Sequence, residues 1–154
     1  MSMNTVPERL AALRTAMAAN GVAVYLIPVG DPHASEYLPD HYTSLTWFSG
    51  FHGENSTFVV TRTESALWAD GRYFVQAEKE IAGTEIKLQR MGEPGVPTVE
   101  EYCANALAEG EVLGLCGLTA VTALVGKLEK ALAKKGASIK TLNLEDELWT
   151  EGRP

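Results

Sequence analysis

The segment from Thr57 to Ile81 limits the fold more than any other part of the chain. Thr57-Phe58-Val59-Val60-Thr61 and Ala66-Leu67-Trp68-Ala69 are short runs of β-branched, aromatic and aliphatic residues, the composition of strands. The four residues between them, Arg62-Thr63-Glu64-Ser65, are polar and short enough for an antiparallel hairpin. Asp70-Gly71 closes the second strand. An aspartate there can accept hydrogen bonds from the unpaired amides of Arg72 and Tyr73, so a helix is expected to start here and run through Ile81.

The remaining elements follow in order. Thr5-Val6-Pro7-Glu8 has capping-box spacing with proline in the first turn, and Leu10, Leu13 and Met17 give the ensuing helix one apolar face up to Asn20-Gly21. The unbroken apolar run Val22–Ile27 is the pattern of a central strand covered on both faces. From Pro28 to Thr46 the chain forms a long connection rich in Pro, Asp and His, and long ordered loops are often functional. After the hairpin and its helix, residues 84–90 alternate as a half-buried strand, and Thr98 with Glu101 opens a helix through Leu107. Glu111–Leu115 reads as a strand, and Val121, Leu124, Val125, Leu128 and Leu132 mark an amphipathic helix. Residues 137–142 make a last strand, and Asn143 can cap a short helix containing Leu144, Leu148 and Trp149. This order predicts one α/β domain over residues 1–154, a mixed sheet of five to six strands between two helical layers.

Composition narrows the partners. The formal charge is −7 and the pI about 5.0, and the basic residues are scattered, which argues against nucleic acid, whose recognition draws on clustered Lys and Arg. No apolar run approaches the ~20 residues that span a bilayer, and residues 1–6 lack the pattern of a secretion signal. Cys103 and Cys116 read as two free thiols in a reducing cytoplasm. The expected location is cytoplasmic.

The residues by themselves do not compose a catalytic centre. A hydrolytic metal site needs several His, Asp, Glu or Cys donors with one position open for water. His33, His41 and His52 are the only histidines, and no two stand four apart on a helix. Asp31-Pro32-His33 reads as a solvated loop pair. A Gly-x-Ser-x-Gly nucleophile elbow is absent, and Gly50-Phe51-His52-Gly53 lacks the Gly-Lys-Ser/Thr ending of a phosphate loop. Catalytic and metal-ligating residues are therefore both read as none.

Two stretches resemble a known family. Phe48-Ser49-Gly50-Phe51, followed by a Gly/Ser loop, and Leu67-Trp68-Ala69-Asp70-Gly71-Arg72-Tyr73-Phe74-Val75-Gln76-Ala77 are similar to the amino-terminal domain of the creatinase/prolidase/aminopeptidase P family, above all to Xaa-Pro aminopeptidases. Asp31–Tyr37 also resembles the family's segment after its first strand. The resemblance implies a ribonuclease H-like three-layer fold. It also implies that catalysis belongs to a second, pita-bread domain expected after residue 154. There two Asp, one His and two Glu hold two metal ions, commonly manganese, and a bridging water attacks the bond before proline. Glu151-Gly152-Arg153-Pro154 looks like the family's junction into that domain. The implied partners are that catalytic domain, a proline-containing peptide and a second copy in a homodimer.

Within this chain Arg72 is the leading candidate for substrate contact. It falls in the first turn of a helix, where a cation is mildly unfavourable, so an acid such as Asp70 or Glu78, or a peptide ligand, should compensate it. A guanidinium binds carboxylate or carbonyl oxygens through a planar fork, and the resemblance places the corresponding arginine at the substrate site. Phe51 and His52 are weaker candidates, because His52–Thr57 departs from the family's common Gly-Ser-Ala-Gly-Thr wording. Tyr73 and Phe74 are expected in the core and Asp70 as a cap. The alternative readings are an interaction module of a pseudoenzyme, or a dipeptidase in place of an aminopeptidase. A ribonuclease H-like nuclease would need clustered strand-end carboxylates, and Asp31, Asp70 and Glu85 come from unconnected contexts.

Overall fold

A computed structural model describes residues 5–28, 44–52, 56–115, 122–144, 148 and 149. Its elements are α1 (Val6–Ala19), β1 (Val24–Pro28), α2 (Ser44–Ser49), β2 (Thr57–Thr61), β3 (Ser65–Ala69), a 3-10 turn (Gly71–Tyr73), α3 (Phe74–Glu80), β4 (Lys87–Arg90), α4 (Val99–Ala106), β5 (Val112–Leu115), α5 (Thr122–Ala133) and β6 (Ser138–Thr141). The six strands form one sheet in the order β4-β3-β2-β1-β5-β6. β2 runs antiparallel to both neighbours, while β3–β4, β1–β5 and β5–β6 are parallel pairs. Five strands therefore point one way and β2 alone points back.

The alternation along the central strands divides the core in two. Tyr25 and Ile27 of β1, Phe58 and Val60 of β2, and Leu67 and Ala69 of β3 face a layer built from Leu10, Leu13 and Met17 of α1, Phe48 of α2 and Ala77 of α3. Val24, Leu26, Val59, Ala66 and Trp68 face the opposite layer, with Cys103 of α4 and Leu128 and Leu132 of α5. The expected three-layer α/β/α architecture with a mixed sheet is thus the observed one, with six strands.

Local chemistry sets the ends of the elements. The Thr5 hydroxyl accepts from the Glu8 amide at 3.4 Å and the Thr98 hydroxyl from the Glu101 amide at 3.2 Å, so both predicted helix starts are capped as read. The hairpin is tighter than the four-residue turn suggested: Ser65 joins β3 opposite Val60, and the Thr61 amide donates to the Glu64 carbonyl at 2.8 Å. β4 begins only at Lys87, because the Thr84 hydroxyl donates to the Ile81 carbonyl at 2.6 Å and accepts from the Ile86 amide at 3.2 Å, keeping that segment in a turn.

One helix was not anticipated. Ser44–Ser49 is α2, where the sequence suggested the end of a long loop. Its β-branched and aromatic residues are weak helix formers, and the helix stands on tertiary support. Leu45 and Phe48 are buried, the Ser49 hydroxyl donates to the Leu45 carbonyl at 2.5 Å, and Arg9 of α1 donates to the Trp47 carbonyl at 2.7 Å. Trp47 in turn stacks on Trp149, centroids 5.4 Å apart and planes 17° from parallel. Asp31, His33, His41 and Cys116 lie outside the described residues.

Candidate functional site

Because only β2 is reversed, the carboxyl ends of β1, β3, β4, β5 and β6 and the start of β2 share one edge of the sheet. In open α/β sheets ligands bind outside the carboxyl ends of strands. Asp70 and Arg72 stand at that edge, immediately after β3.

Asp70 adopts an extended conformation (φ −84°, ψ 170°), and its Oδ1 accepts the Arg72 amide at 2.9 Å. The cap starts a 3-10 turn over Gly71–Tyr73, and the α-helix proper begins at Phe74, so the single helix expected from Asp70 to Ile81 is two elements. The same carboxylate takes the Arg72 side chain: Nε reaches Oδ1 at 3.4 Å and Nη2 reaches Oδ2 at 3.0 Å. Asp70 is thus the acid that compensates the cation, and Glu78 pairs with Arg90 instead. The Arg72 side chain is 70% exposed, with its guanidinium carbon 5.4 Å from the centre of the Tyr73 ring.

The weaker candidates have different fates. Phe51 is fully buried and meets Tyr73 edge-on, ring centroids 6.1 Å apart, so its side chain belongs to the core and not to an open surface. Tyr73 is half-buried against the same cluster, whereas Phe74 carries the Arg90 guanidinium 5.5 Å from its ring centre. His52 is 66% exposed and tied to Glu80: its Nδ1 lies 2.6 Å from Oε2, and its amide donates to Oε1 at 3.0 Å. Gln76 adds a third hydrogen bond to Glu80 Oε1 at 2.8 Å. Partial burial works against ionisation of Glu80, but the hydrogen bonds from His52 and Gln76 outweigh it and hold the carboxyl below its ordinary range.

A groove of about 560 Å³ opens at the same edge on the other face, lined by Ser56, Trp68, Met91, Pro97, Leu124 and Lys127 among others. Trp68 Nε1 donates to the Pro97 carbonyl at 2.9 Å, and the buried Ser56 hydroxyl has no hydrogen-bond partner among the described residues. Residues from four separate segments compose this groove, so no local motif announced it. Cys103 is buried, and burial pushes its thiol far up, out of nucleophilic range. Among the described residues no three His, Cys, Asp or Glu side chains are grouped so as to hold a metal ion. The described part of this chain therefore carries no donor set for the dinuclear centre that the resemblance implies.

Fold and site together define a three-layer α/β domain that offers an arginine at a strand-end edge, with no metal-donor cluster among the described residues. The chain belongs to the creatinase/prolidase N-terminal domain family, whose model matches residues 9–148. It is 40% identical to aminopeptidase P2 of Arabidopsis thaliana over 97% of its length and 22% of that protein's, and 40% identical to a probable Xaa-Pro aminopeptidase P of Sordaria macrospora over 100% and 25%. The crystal structure of X-prolyl aminopeptidase from Caenorhabditis elegans, described as a cytosolic enzyme with a di-nuclear active site, superposes with a TM-score of 0.87 at 35% identity. It covers 97% of this chain and 26% of that one. The N-terminal domain of the cytoplasmic peptidase PepQ from Mycobacterium tuberculosis shares the fold, with a TM-score of 0.63 at 24% identity, over 90% of this chain and 95% of that one. The chain thus spans about a quarter of the length of the curated relatives it matches. No described helix is long and apolar enough to cross a membrane.

Proposed function

We propose that this chain is the non-catalytic amino-terminal domain of a metal-dependent Xaa-Pro aminopeptidase, which removes the residue preceding proline. The observation that carries the reading is the span of the similarity. Identity of 35–40% with aminopeptidases runs through nearly the whole chain while taking up about a quarter of theirs, and the described residues contain no donor cluster. Chemistry is then the work of a following domain with two divalent metals, manganese in our reading. This domain shapes the substrate cleft and takes part in a homodimer in the cytoplasm.

Arg72 is the substrate-facing residue in this scheme. Asp70 orients the guanidinium through two hydrogen bonds, and the carbonyl or carboxylate oxygens of a short peptide suit its planar fork. The test is direct: the isolated domain should cleave no proline-containing peptide even with added manganese, and the longer protein should. Metal-dependent release of the first residue by residues 1–154 alone would refute the division of labour.

A further inference from the structure

Residues 50–52, which follow α2, reach both ends of α3. Gly50, at φ +81°, brings its backbone beside the helix end, so that a Cβ there would sit 3.7 Å from the Glu80 carbonyl oxygen. Phe51 packs on Tyr73 at the other end of the helix, next to Arg72. His52 then returns to the Glu80 carboxylate with both its amide and its ring. Glu80 is also held from within the helix by Gln76. A seven-residue helix has little stability of its own, and this one buries only Ala77 completely. Its orientation is held by those two fastenings, one at each end, together with Arg90 of β4, which pairs with Glu78 and lies over the Phe74 ring. The Phe51 fastening is apolar and non-directional. The His52–Glu80 fastening is directional, because two donors on one residue meet the two oxygens of one carboxylate.

We propose that His52 and Glu80 are positioning residues for Arg72: by fixing the far end of α3 they set where the guanidinium stands at the sheet edge. This rests on the reading of Arg72 as substrate-facing. His52 thereby has a role distinct from substrate contact.

The experiment is a double-mutant cycle in the full-length peptidase that carries this domain, with a tripeptide having proline second as substrate. Glu80→Ala should raise KM about five- to tenfold with kcat within about twofold, because Arg72 serves binding and not the chemical step. His52→Ala should do the same more weakly. His52→Asn, whose amide nitrogen can stand where Nδ1 does, should restore the wild-type KM. In an Arg72→Ala background Glu80→Ala should change KM by less than about twofold, since the clamp acts through an arginine no longer there. A Glu80→Ala effect of equal size in both backgrounds, or an unchanged KM in both Glu80→Ala and His52→Ala while Arg72→Ala raises it, overturns the clamp. An unchanged KM in Arg72→Ala overturns instead the substrate-facing reading of Arg72. Should Glu80→Ala fail to fold, the two His52 variants, altered at a largely exposed ring, decide the matter.

Discussion

Arg14 and Glu85 meet fork to fork across 71 residues of sequence, Nη1 on Oε1 at 2.8 Å and Nη2 on Oε2 at 2.6 Å, while Arg14 Nε donates to the Thr61 carbonyl at 2.9 Å. Ser65 adds its hydroxyl to Glu85 Oε2 at 3.0 Å. One carboxylate therefore joins α1, the hairpin and the entry to β4, and the Arg14 hydrogen bond leads the interactions that hold Glu85 below its ordinary range against partial burial.

The pH dependence follows from the sign of that shift. Glu64, Glu80 and Glu85 all titrate lower in the folded chain than in the unfolded one, Glu64 chiefly through its hydrogen bonds with Lys87 and Tyr102. The unfolded state binds more protons in this window, so the stability they contribute is complete above the unfolded value of about 4.3 and is lost as pH falls through the lower folded values. Thermal melting from pH 7 to pH 3 should show the midpoint dropping mainly below about pH 5. In Glu85→Gln the midpoint should be lower at pH 7 and its fall with acid shallower. An equally steep fall in the variant would remove Glu85 from this account.

Arg72 should matter to binding and little to folding. Exposed ion pairs contribute about 0–1 kcal/mol, and the Arg72 side chain is 70% exposed. Arg72→Lys in the full-length peptidase should keep the domain's melting midpoint within about 2 °C yet raise KM, because an ammonium cannot form the fork. Calorimetry of the domain and steady-state kinetics of the whole protein separate the two effects.

Asp70→Ala should cost more stability than Arg72→Ala. It removes a helix cap, worth about 1 kcal/mol, together with the acceptor of both Arg72 side-chain hydrogen bonds. Denaturant titration of the two variants side by side checks the order.

Two glycines should respond with opposite sign to the same change. At Gly114 in β5 an added Cβ would stand 2.7 Å from Leu142 Cδ2, 3.0 Å from Val22 Cγ1 and 3.2 Å from Tyr25 Cδ2, and overpacking of that kind costs about 1–3 kcal/mol. At Gly126 in α5 nothing among the described residues lies within 4 Å of an added Cβ, so alanine should stabilise by about 0.5–1 kcal/mol through helix propensity. Urea midpoints for Gly114→Ala and Gly126→Ala are the measurement.

The legible part of this protein is the part decided by neighbours in the chain. Thr5, Asp70 and Thr98 cap helices because each carries an oxygen a few bonds from an unpaired amide. Val22–Ile27 announced a central strand, since a strand covered on both faces needs apolar residues in succession. What remained hidden depends on partners brought from far away. α2 is a helix because Arg9 and the core hold it, the pairing of β3 with β4 is parallel because Ile81–Ile86 turns the chain back, and Phe51 left the surface for the ring of Tyr73. His52 found Glu80 across 28 residues and Arg14 found Glu85 across 71. Hydrogen bonding and side-chain packing act over a few ångströms of space regardless of sequence separation, so local pattern wrote the elements, and the fold alone chose which side chains meet.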